Sequence, residues 1–281
     1  MRTLQTTADL RTTLADYRRA HQRIALVPTM GNLHAGHMAL VERARARADI
    51  LVASLFVNPM QFGPNEDLDA YPRTLDADQA RLRDTGCDVL FTPTSQMLYP
   101  AGLEAHTRVQ VPGVGDNLCG RARPGHFDGV STVVTILFNL VQPDIAFFGE
   151  KDYQQLAVIR KLVADLHLPI EIVGVPTQRA EDGLALSSRN GYLNAKQRAV
   201  APELYRTLLA AKAALERGDP APEVINDATR RLTEAGFTPD YVELASVDLG
   251  PVTLGTREAV LLAAARLGPA RLIDNIAVTL D

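Results

Sequence analysis

The chain has 281 residues, 46% hydrophobic and 22% charged, with a formal net charge of −4 at pH 7. This is the composition of a globular protein able to bury its own core, and the acidic balance offers no footprint for nucleic acid. Cys87 and Cys119 are the only cysteines and lie too far apart for ligand-like spacing. They argue against a disulfide framework or zinc site and point to a reducing compartment. The first 14 residues carry Arg2, Asp9 and Arg11 without an apolar stretch, so no signal peptide is expected. No run approaches the roughly 20 apolar residues of a membrane span. The expectation is a soluble cytoplasmic protein with neither membrane nor nucleic-acid partners.

In chain order, residues 24–27 read as a strand entering a glycine-rich turn. Residues 37–48 then place Leu40, Val41, Ala44 and Ala48 at helical spacing. The almost continuous apolar run 50–57 fits a parallel strand buried on both faces. A helix is predicted over 76–85, a strand over 89–91, a helix over 131–140 and a strand over 145–148. A helix over 153–166 and a strand over 170–175 follow. This alternation predicts an α/β architecture, a Rossmann-like doubly wound parallel sheet. Beyond Pro176 the pattern changes to helices at 196–217 and 223–235 and strands at 241–247 and 259–265. Pro202 best fits a first helical turn there. The predicted organisation is a nucleotide-binding domain over 1–176 and a smaller α+β domain over 177–281, hinged near 177–183.

Four constellations carry chemistry. The first leaves the first strand through Met30, Gly31, Asn32 and Leu33 and enters a helix at His34-Ala35-Gly36-His37. Helix N-termini at the carboxyl ends of parallel strands offer free N–H groups to anions. The histidines, three apart, share one side of the starting turn, and Gly36 would let a base or phosphate approach. A neutral imidazole there donates one N–H toward developing phosphate charge. A structural pair or half a metal site is the bland alternative, but no Cys or His cluster accompanies it. There is no GxxxxGK[ST], and Gly113, Gly115 and Gly120 lack GxGxxG spacing.

The second is Gly149-Glu150-Lys151-Asp152, another strand-to-helix turn, notable because lysine occurs only at 151, 161, 196 and 212. The third is Leu186-Ser187-Ser188-Arg189, two hydroxyls and a guanidinium suited to wrapping a triphosphate. The fourth gathers uncharged amides, Asn58, Gln61, Gln154 and Gln155, near Tyr71. Each alone fits an ordinary turn or surface; their convergence at the strand ends of one sheet favours a nucleotide site.

Together with Tyr71-Pro-Arg-Thr74, Arg123-Pro-Gly-His-Phe127 and Arg271-Leu-Ile-Asp-Asn275, these segments resemble the pantothenate synthetase (pantoate–β-alanine ligase) family of the HxGH nucleotidyltransferases. The resemblance covers essentially the whole chain. It implies ATP-dependent joining of pantoate and β-alanine through pantoyl adenylate, with release of AMP and pyrophosphate, Mg²⁺ as cofactor and a homodimer. It implies catalytic roles for His34, His37, Lys151 and Arg189. ATP would lie along Met30 to His37, Gly149 to Asp152, Gln178 and Leu186 to Arg189, with Asp152 on the ribose. Pantoate would lie against Gln61, Gln155, Val133 and Val134, with Gln61 also serving β-alanine. Asp78 would contribute to the Mg²⁺ environment, although Ala77 stands where family members often carry another acid. Asp128 replaces an arginine common in the family. The adenylate needs protection from water, so the second domain is expected to act as a lid. Open alternatives are a nucleotidyltransferase for another acid acceptor and a non-catalytic ATP-binding module.

Overall fold

A computed structural model describes residues 1–64 and 66–280. Its first sheet has six parallel strands: β1 (Arg2–Leu4), β2 (Ile24–Thr29), β3 (Ile50–Leu55), β4 (Val89–Phe91), β5 (Ile145–Gly149) and β6 (Glu171–Val175). Their order is β1-β4-β3-β2-β5-β6. β3 is buried along its whole length, as its unbroken apolar run requires of a central parallel strand. The connections are α1 (Thr7–Arg19), α2 (Ala35–Arg45), α3 (Leu75–Asp84), α4 (Ser95–Leu98), α5 (Cys119–Ala122), α6 (His126–Val141) and α7 (Tyr153–Asp165). The chain winds outward from β2 through β3 to β4, then crosses back to place β5 on the other side of β2. Connections leaving β2 and β5 therefore diverge, and the gap at their carboxyl ends is the switch point where ligands bind in open α/β sheets.

The second unit is built on an antiparallel sheet of β7 (Thr238–Ser246), β8 (Glu258–Leu267) and β9 (Ala270–Thr279), with β8 central. Its helices are α8 (Ala195–Val200), α9 (Glu203–Leu215) and α10 (Ala221–Glu234). The single helix predicted over 196–217 is two: Pro202 has no N–H to continue the ladder, so α8 stops and α9 starts behind it. β1, α1 and β9 are additions to the sequence reading. β1 is a short, largely exposed edge strand, and α1 buries only Leu10, Thr13 and Leu14 behind a Thr6 cap, so both carry weak apolar signals. α6 begins at His126, a turn and a half earlier than predicted.

One face of the second sheet, with Val242, Leu261, Ala263 and Leu272, packs with α9 and α10. The other face, with Tyr241, Val260, Leu262 and Ala264, joins the same apolar cluster as Leu26, Phe91, Phe138 and Leu156 of the first unit. Each such fully buried large side chain stabilises the fold by about 1.5–3 kcal/mol over an exposed one.

Candidate active site

The chain leaves β2 in a left-handed turn at Gly31 (φ 89°) and Asn32 (φ 49°) before α2 starts. A turn this tight strands its amides, and α3 satisfies them. The Asp78 carboxylate, 2% exposed, accepts from the Asn32 N–H (2.9 Å), the Leu33 N–H (2.8 Å) and the Thr74 hydroxyl (3.1 Å). Arg81 donates to the Leu33 carbonyl, and the Ser188 hydroxyl donates to that of Asn32 (3.2 Å). Asp78 thus corrects the expectation of a metal environment. It is absent from the crevice lining, and both oxygens are turned onto the loop that carries the histidines.

His34 caps α2: its Nδ1 accepts from the Gly36 N–H (3.1 Å), while His37 Nδ1 accepts from the His34 N–H (3.3 Å). An amide can only donate, so each ring keeps its hydrogen on Nε2. The ring centroids are 4.1 Å apart. Burial first, and then Lys151, lowers the His34 pKa to about 4. Burial, then His34 and Lys151, lowers that of His37 to about 3. Both are neutral single N–H donors near pH 7. Gly36 lines the crevice, and a Cβ there would lie 2.9 Å from His34 Cε1, so this glycine also makes room for the imidazole.

Across the switch point, β5 ends in the turn Glu150–Asp152. Lys151 lines the crevice, with Nζ 3.3 Å from Asp152 Oδ2 and its side chain 18% exposed. Burial acts to raise the Asp152 carboxyl, but Lys151, followed by Arg189, offsets this and holds it below the usual range. Gly149, Gln178, Leu186, Ser187, Ser188 and Arg189 complete this wall, with Met30 opposite. Gln61, Gln155, Val133 and Val134 also line the crevice. Gln61 Oε1 accepts from Asn58 Nδ2 (3.1 Å), and among the described residues its Nε2 faces only the Met30 sulfur, at 3.3 Å. Asn58 is locked in turn by the Tyr99 hydroxyl (2.7 Å) and the Gly129 carbonyl (3.1 Å).

A family profile described as pantoate-beta-alanine ligase matches residues 2–277. The chain belongs to the pantoate–β-alanine ligase family. A pantothenate synthetase of Chromohalobacter salexigens is 63% identical over 281 residues, covering 100% of this chain and 99% of that one. One from Pseudomonas aeruginosa is 58% identical, with 100% of both covered. Among solved structures, a pantothenate synthetase of Thermus thermophilus superposes with a TM-score of 0.91 at 49% identity, covering 98% and 99% of the two chains. A Francisella tularensis pantoate-beta-alanine ligase, described as complexed with beta-gamma ATP and beta-alanine, gives 0.82 at 33% identity, covering 98% and 97%. The chain is accordingly an enzyme that joins pantoate and β-alanine into pantothenate.

Not every residue flagged in this pantoate–β-alanine ligase reaches the crevice. Gly31, Asn32, Leu33 and Ala35 shape the loop without lining it, and Leu33 is buried in the core beneath. The Glu150 side chain lies toward Gly174 on β6. Of the two adjacent glutamines, Gln154 is occupied with backbone: Oε1 accepts from the Cys119 N–H, and Nε2 donates to the Val114 and Asn117 carbonyls. Arg189 faces the crevice with its fork on Asp67 (2.9 and 3.0 Å), which also accepts from the Tyr192 hydroxyl.

Sequence reasoning gave no role to Arg123 or His126, although their motif carried part of the resemblance. Arg123 grips Glu66 and donates to His126 Nε2 (3.0 Å), so His126 Nδ1–H donates to the Gln61 carbonyl (2.8 Å). Burial, then Arg123, lowers the His126 pKa to about 3, in keeping with a neutral ring that fixes Gln61. An arginine and a histidine three apart on the turn entering a helix was the available signal.

Proposed function

We propose that the ligase works in two steps within this crevice. The pantoate carboxylate attacks the α-phosphorus of ATP, releasing pyrophosphate and forming pantoyl adenylate. The β-alanine amine then attacks the acyl carbon, releasing AMP. The observation carrying this reading is the meeting, at one switch point, of two imidazoles restricted to Nε2–H donation, Lys151, and amide donors. Attack of one anion on another demands charge neutralisation, and neutral N–H donors with one lysine stabilise the growing phosphate charge without first having to lose water. The nucleotide complex of the Francisella tularensis relative supports ATP as co-substrate.

In this reading His34, His37, Lys151, Ser187, Ser188 and Arg189 hold the phosphates. Asp67 occupies the guanidinium fork that a phosphate oxygen would take. Met30, Gly149, Gln178 and Leu186 border the nucleoside, with Asp152 at the ribose. Gln61 and Gln155 hold pantoate, Val133 and Val134 meet its methyl groups, and Gln61 also borders β-alanine. Amides suit this task because a buried positive charge would bind the carboxylate too tightly in the ground state. Mg²⁺ would arrive on the triphosphate and offset its charge. No three His, Cys, Asp or Glu side chains among the described residues form a cage for a resident ion, and Asp78 is engaged elsewhere, so no step is assigned to the metal.

The two buried thiols, Cys87 and Cys119, support a reducing cytoplasm, and the family resemblance supports a homodimer, which light scattering tests directly. The decisive assay follows AMP and pyrophosphate from ATP, Mg²⁺ and pantoate, with and without β-alanine. AMP and pantothenate in equal amounts, only with both acid and amine, is the expected result. Formation of ADP and phosphate instead would overturn the adenylate route.

A further inference from the structure

The segment from Arg271 to Asn275 contributes to the family resemblance, yet none of its residues has a place in the reaction above. It lies on β9, in the second unit, and crosses directly behind the turn that carries Lys151. The Asn275 side chain donates from Nδ2 to two consecutive carbonyls of that turn, Glu150 (2.9 Å) and Lys151 (3.0 Å). Both partners can only accept, so the amide nitrogen must face them and both its hydrogens are engaged.

Asn275 is itself held from behind. Its backbone N–H donates to Asp274 Oδ1 (2.8 Å), and Asp274 is gripped at both oxygens by Arg179 (2.6 and 2.9 Å). The Arg179 guanidinium lies 3.6 Å from the centre of the Tyr205 ring. The Lys151 side chain, by contrast, has one partner among the described residues, its neighbour Asp152. What fixes the ammonium relative to His34 and His37 is therefore the placement of its backbone.

We infer that Asn275 is a positioning residue for Lys151: through two hydrogen bonds from β9 it sets where the Glu150–Asp152 turn presents the ammonium to the nucleotide phosphates. This rests on the reading in which Lys151 contacts those phosphates. It makes the second sheet a participant in phosphate alignment rather than only a cover, because displacements on the order of 1 Å can cost about 100-fold in rate.

The test is a double-mutant cycle of Asn275→Ala and Lys151→Ala, read as kcat and KM for ATP and pantoate with thermal unfolding alongside. Asn275→Ala is expected to lower kcat about 10-fold or more, to change KM for pantoate less than about twofold and to stay folded. In the Lys151→Ala background the same change should alter kcat less than about twofold, since nothing remains to be positioned. Asn275→Asp, equal in shape but setting an acceptor against two carbonyls, should lose at least as much; should it fail to fold, the alanine cycle decides alone. Independent, multiplying losses would overturn the inference while leaving Lys151 in place, as would an Asn275→Ala enzyme with unchanged kcat. A Lys151→Ala enzyme at full rate would overturn the site reading, and this inference with it.

Discussion

The polar side chains in the crevice and those behind the Lys151 turn are in different states of satisfaction. On the first unit, His34 and His37 each keep an Nε2–H, Gln61 Nε2 meets the weak acceptor sulfur of Met30, and among the described residues the Lys151 ammonium meets only the adjacent Asp152. On the second, Asp274 is held by Arg179 and by a backbone N–H, and Asn275 is engaged with two carbonyls. Groups that act on a reactant must keep bonding capacity until it arrives, whereas groups that build must be satisfied, since an unmade buried bond is costly. The His34, His37 and Lys151 set therefore keeps capacity for a reactant, whereas the Asp274 and Asn275 pair on β9 supplies geometry.

The sharpest way to break this division is Asp274→Ala. It strands Arg179 beside a site where the carboxylate is 2% exposed, and urea unfolding should show a loss of about 3–5 kcal/mol. A loss of activity with unchanged stability would instead place Asp274 among the reacting groups. His37→Ala should do the reverse, lowering the rate of pantothenate formation about two to three orders of magnitude while the protein remains folded. An active His37→Ala enzyme would remove the imidazole pair from the mechanism.

Acid should reveal the three neutral histidines together. His34, His37 and His126 have folded pKa values of about 4, 3 and 3, below the ordinary 6.5. The unfolded chain thus binds more protons between those limits. Their contribution is complete above about pH 6.5 and is lost as pH falls toward 4 and then 3, at up to about 1.4 kcal/mol per pH unit for each ring. Denaturation midpoints that stay level from pH 7 to 5 would contradict the neutral, buried assignment. The smallest expected effect belongs to Asp128. It lies at the start of α6 and accepts a bond from Gln110 (3.0 Å), so Asp128→Arg should change stability by no more than about 0.5 kcal/mol and the rate hardly at all.

The sheet and the three crevice-lining segments were legible because they are local, with apolar runs of strand length ending in turns that carry His34, Lys151 and Ser187. Partnership was not legible. Gln154 and Gln155 are adjacent and chemically identical, and only packing against the 114–119 segment engages one and leaves the other in the crevice. Asp78 reads as a metal ligand until the amides of Asn32 and Leu33 turn out to claim it. The glycine at 36 reads as room for a ligand and does line the crevice, but its second task, leaving space for the His34 ring, shows only in the structure. Such assignments depend on contacts across dozens of residues, which no periodicity encodes.

The second sheet has apolar neighbours on both faces, α9 and α10 on one side and the core of the first unit on the other. Swinging this unit outward like a door would wet Tyr241, Val260, Leu262 and Ala264, at a cost of several kcal/mol. The two units should therefore stay joined while reactants enter. Calorimetry would then record a single cooperative melting event, with no temperature at which one half survives the other.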